Sequence, residues 1–179
     1  MKKAKFLPLL LIAVLLLTSC GKEVGPKNVD AAEKAVSSIK PEDLQSVKGA
    51  VHQLHFVLND LVSWGHSRRF TENTEWYSSE TAWKIVNEYL TEQKIADRAR
   101  EIAKTVESET LKQDLESFAN SLEQAYEKRD VNLLIHAHRI IHDLDYWVFG
   151  NETFYDKGSE PPRGSRDYWG VTVTLEGKK

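Results

Sequence analysis

One cysteine, Cys20, and one methionine, Met1, are all the sulfur in 179 residues. Beyond residue 20 the chain can form no disulfide and offers no thiolate or thioether ligand. A soft Cu(I) site, an iron–sulfur cluster and a methionine-ligated haem are excluded there, and any metal must be held by imidazole and oxygen. Also missing are a G-x-S-x-G nucleophile elbow, a phosphate-binding loop and the C-x-x-C-H of haem attachment. No internal repeat or low-complexity tract is present.

The chain opens Met1-Lys2-Lys3-Ala4-Lys5, followed by an apolar run over 6–17 and then Leu17-Thr18-Ser19-Cys20. A basic start, a short apolar core and small residues before a cut site make a secretory signal, too short to span a membrane. The closing tetrapeptide resembles the lipobox of bacterial lipoproteins. That resemblance implies removal of residues 1–19, acylation (palmitate-type chains) of Cys20, and a membrane-held protein on the extracytoplasmic side of a cell or outer membrane. It covers the first twenty residues only. Acyl chains would supply the attachment, at about 0.8 kcal/mol per buried methylene.

A surplus of positive charge is lacking as well. Residues 1–19 hold three of the 24 basic residues and none of the 27 acidic ones, so the remainder stands at 21 against 27, net −6. Nucleic acid is an unsuitable partner for such a surface. The 160 residues left are enough for one domain with a real core.

The organisation expected is a signal at 1–19, a lipidated tether at 20–27, a helical bundle at 28–150 and an aromatic-rich extension at 151–179. Within the bundle, helical periodicity places elements at about 29–39 and 41–64, the second started by Pro41 with Glu42 and Asp43 in its first turn. Residues 65–79 read as a loop that is polar yet holds Phe70, Trp76 and Tyr77. There His66, Arg68, Arg69 and Trp76 form a candidate contact for a partner or an anion. A helical stretch follows Ser78 or Ser79, with a kink or break near 91–94. Another opens at a capping box, Thr110-Leu111-Lys112-Gln113. Residues 168–175, YWGVTVTL, alternate as a strand does. A lone strand needs a partner, so a hairpin with 152–155, a homodimer or an envelope protein docked on that edge is expected. The fold class is all-α, a bundle of four to five helices with a short C-terminal β-strand or hairpin.

The centre of the chain is residues 130–149, DVNLLIHAHRIIHDLDYWVF, apolar nearly all round and so expected inside the bundle, capped by Asp130 and closed by Gly150. His138, His142 and Asp145 fall on one strip of that helix, whereas His136 and Asp143 are expected at its solvent edge. His55 lies on the flank of the core face of the earlier helix, and His52 reads as a solvated residue. With up-and-down helices, His55 would sit about 16 Å from the end of its helix, and His138 and His142 about 12 and 18 Å from that same end. His55, His138, His142 and Asp145 then make a candidate site for Zn, Ni or Fe, and opposed histidines leave a bis-histidine haem open. The alternative is that each histidine is a structural hydrogen-bonding residue. His138-Arg139-Ile140-Ile141-His142 differs from the zinc-protease motif in having Arg139 where the general-base glutamate must stand. An enzyme is therefore the last of three readings, although two histidines and a carboxylate can also be a catalytic ligand set. The first is a membrane-anchored, ligand-binding bundle. The second is a cell-envelope interaction or scaffold protein.

Overall fold

The structure is a computed structural model that describes residues 26–74, 78–150 and 167–177. Six helices make an all-α bundle: α1 (Val29–Ser37), α2 (Pro41–Val62), α3 (Ser79–Thr91), α4 (Ile95–Thr105), α5 (Glu109–Lys128) and α6 (Val131–Asp143). A 3₁₀ turn (His66–Phe70) follows α2, a π-turn (Leu144–Val148) extends α6, and a single helical turn, α7 (Val173–Glu176), ends the described chain.

Local chemistry sets most boundaries. The Asn28, Ser78 and Asp130 side chains each accept from an amide of the turn they open, satisfying donors that have no carbonyl inside the helix. Pro41 starts α2 because its missing N–H is not needed there. The break expected near 91–94 is a complete one, with Lys94 in the left-handed region (φ 52°) between α3 and α4. One boundary is shifted from expectation. Ser108, rather than Thr110, caps α5 by accepting from the Leu111 amide at 3.4 Å.

Helices α2, α4, α5 and α6 enclose the core, with α5 between α4 and α6 and with α2 closing the ring against both. Short turns make α4, α5 and α6 successive antiparallel neighbours. Helices α2 and α6 are antiparallel too, since His52 and His55 meet Asp145 while Asn59 and Ser63 meet His138. Fully enclosed leucines at 54, 58, 111, 115, 122, 134 and 144, together with Phe118, fill the interior. Removing such side chains from water is the main favourable term in the fold, roughly 1.5–3 kcal/mol each. Phe70 packs edge-on against Trp83, which ties the loop after α2 to α3. No helix of the described residues is long and apolar enough to cross a membrane.

The expectation of four to five helices with a C-terminal strand is corrected. Among the described residues there are six bundle helices and the one-turn α7, and no β-strand or hairpin. The 168–175 segment alternates, but its backbone is satisfied by two carboxylates instead of a ladder. Asp143 accepts from the amides of Trp169 and Val171 at 3.1 and 3.4 Å. Asp114 on α5 accepts from Val173 and Thr174 at 2.7 and 2.9 Å, and there the chain turns into α7. Leu175 is thereby sunk into the core. A strand-mediated homodimer or envelope-protein contact through this segment is withdrawn, because the amides it would use are engaged inside the molecule. Residues 152–155, the expected hairpin partner, lie outside the described residues.

Candidate functional site

Where α2 faces α6 the bundle interior turns polar. The rings of His55, His138 and His142 lie at one depth and form a triangle with centroids 5.1–5.8 Å apart. Asp145 lies beside them, fully buried in the π-turn, whose backbone is closed by the Phe149 amide donating to Leu144 at 2.9 Å.

The arrangement does not make a metal-ligand set, and that reading is corrected. Among the described residues no group of three or more His, Cys, Asp or Glu can hold a metal ion. Hydrogen bonding gives the reason. His55 donates from Nδ1 to Asp145 Oδ2 at 2.7 Å, and His52 donates from its own Nδ1 to the same oxygen at 3.0 Å. His138 donates from Nε2 to Asn59 Oδ1 at 2.9 Å, and that oxygen also accepts from the Ser63 hydroxyl at 2.8 Å. The His142 ring stands edge-on to His55 at 81°. Zn, Ni and Fe are withdrawn as cofactors on this geometry. A haem is withdrawn too, since the opposed imidazoles touch one another and leave no plane between them.

Burial governs the protonation of the cluster. The His138 imidazole is pushed down to about 3, chiefly by desolvation and then by the positive charges His55, His142 and Arg139 would place beside it. His55 is also lowered by burial, against the pull of Asp145. His138 and His55 are therefore held neutral, each with one N–H to donate. Among the described residues, His55 Nε2 and His142 Nδ1 find no hydrogen-bond partner, the latter standing 3.5 Å from Asp143 Oδ1.

Two expectations about the flanks fail. His52 is not a solvated residue but a second donor to Asp145. Asp143 is fully buried, held by the amides of the C-terminal segment, while His136 is exposed as expected. Asn59 and Asp114 gave no signal in the sequence, since a single polar residue on a helix face is not distinguished from a surface one. His52 could have been found, because it precedes His55 by one helical turn.

In front of His138 and His142 opens a cleft of about 440 Å³ between the end of α2, α6 and the C-terminal segment. Arg139, Trp64 and Trp169 are on its walls. The loop cluster lies beside α2: His66 engages the Asp60 carbonyl oxygen at 2.7 Å, Arg68 is exposed and Arg69 half-buried. Trp76 and Cys20 lie outside the described residues. No protein-family model, no curated protein and no solved structure matches this chain.

Proposed function

We propose that the chain is a lipid-anchored, extracytoplasmic interaction or scaffold protein, without enzymatic activity, whose buried histidines are structural. The observation that carries the structural reading is the Asp145 carboxylate, completely buried and accepting from both His52 and His55. A buried carboxylate must be met by donors, and two imidazoles on α2 meet it. The His138–Asn59–Ser63 group repeats the device nearer the other end, so α2 and α6 are pinned at two levels in one register. The anchor is supported by the basic start, the apolar run and Leu17-Thr18-Ser19-Cys20.

Two measurements test this. His55→Ala should lower the thermal midpoint of the full chain by roughly 5–10 °C, through the lost partner of a buried carboxylate. Zn²⁺ and EDTA should leave the midpoint where it is. A zinc-induced rise that His138→Ala abolishes would overturn the structural reading, because a ligand of the folded state shifts the midpoint by mass action. In cells, Cys20→Ser should move the protein out of the membrane fraction, and its retention there would overturn the anchor.

A further inference from the structure

The structural reading leaves the cleft before the histidines without a use. Its volume, about 440 Å³, lies in the range of small-molecule sites. Its floor is held rigid. His138 is fixed to Asn59 and Ser63 on α2, and His142 packs edge-on against Tyr146 with 4.6 Å between ring centroids. A site that is already ordered does not lose affinity to ordering when a ligand arrives.

The chemistry of the walls is specific. Arg139 faces the cleft with its guanidinium carbon 4.6 Å from the Trp169 ring centroid. Stacking on the Trp169 face orients the guanidinium in its plane, and Arg139 lines the cleft as its cation. A guanidinium presented in this way takes a carboxylate bidentately. The rim carries two large aromatic surfaces in water, Trp64 at 70% exposure and Trp169 at 39%.

The same walls argue against a multiply charged ligand. Asp167 also lines the cleft, and the carbonyl end of α2 reaches it at Val62 and Ser63. Both oppose an anion, and Arg139 is the one cationic side chain in the described lining, so a ligand with more than one negative charge is disfavoured. We propose that the cleft binds a small monocarboxylate with an apolar, ring-sized body, the carboxylate on Arg139 and the ring against Trp64 and Trp169. This goes beyond the scaffold reading and does not depend on where the protein resides.

The test uses the full chain in mild detergent, with benzoate and phenylacetate as probes, followed by tryptophan fluorescence and calorimetry. Benzamide supplies the ring without the charge, and inorganic phosphate the charge without the ring. Saturable binding of a carboxylate probe is expected, at least tenfold tighter than benzamide and not displaced by equimolar phosphate. Arg139→Gln should weaken it at least tenfold. Trp64→Ala, at a position too exposed to endanger folding, should weaken it several-fold with an unchanged circular dichroism spectrum. The proposal is overturned by any one of four results: no saturable binding of either carboxylate, benzamide binding as tightly as benzoate, phosphate displacing the probe, or Trp64→Ala binding as the parent does.

Discussion

Acid should loosen this bundle through its histidines well before its surface carboxylates titrate. In the folded chain His138 is held down to about 3, whereas an unfolded imidazole titrates near ~6.5. The folded state therefore binds fewer protons between these values. The stability contributed by the neutral ring is complete above ~6.5 and is lost progressively as pH falls toward 3. Between pH 7.5 and 5.0 protonation lowers the unfolded chain by about 2 kcal/mol at this one residue and leaves the folded chain almost untouched. His55, lowered by burial, acts in the same direction. Asp114, whose carboxyl burial raises, acts in the opposite one, so a variant is needed to isolate the histidine. His138→Gln keeps an N–H donor for Asn59 and removes the titration. Urea unfolding of parent and variant at pH 7.5, 6.5 and 5.0 should show the parent losing about 2 kcal/mol more over that span. Parallel losses in the two proteins would refute the reasoning, because they would mean His138 is not kept neutral by burial.

Two further perturbations probe the fold directly. Asp114→Ala removes the acceptor of the Val173 and Thr174 amides and should cost about 2–4 kcal/mol in denaturant unfolding, with fast amide exchange at both positions; protection unchanged at Thr174 would show the segment is held by something else. Lys94→Gly should stabilise by up to about 1 kcal/mol in the same assay, since Lys94 sits at φ 52° with its side chain in solvent and glycine adopts that conformation without a Cβ penalty. A loss of stability there would mean that the helix break is not under backbone strain.

Some of the candidate site was legible before the fold. Proximity of His55, His138 and His142 followed from helix rise and antiparallel packing alone, and their rings do share one level. What those rings do was not legible. Whether a nitrogen faces a vacant point or a neighbouring oxygen is a matter of an ångström, decided by Asn59 and Ser63, which look like surface residues in the sequence. The strand expected at 168–175 failed for a related reason. Alternation reports that one side of a segment is buried, and here Thr172, Thr174 and Leu175 are. It does not report what satisfies the backbone, and the acceptors come from Asp114 and Asp143, 59 and 28 residues away from the amides they hold.

Determined by sequence were the helix starts at Pro41 and Asp130, the apolar rows, an interruption of some kind near 91–94 and the absence of sulfur chemistry beyond Cys20. These are short-range matters, settled by caps, periodicity and composition within a turn or two. Tertiary structure alone decided that His52 and His55 would share one carboxylate, that the C-terminal segment would be held by buried aspartates, and that Arg139 and two tryptophans would border one cleft. Each of those depends on groups far apart in the chain arriving within hydrogen-bonding or van der Waals distance. Packing of the whole bundle, and no local preference, sets such distances.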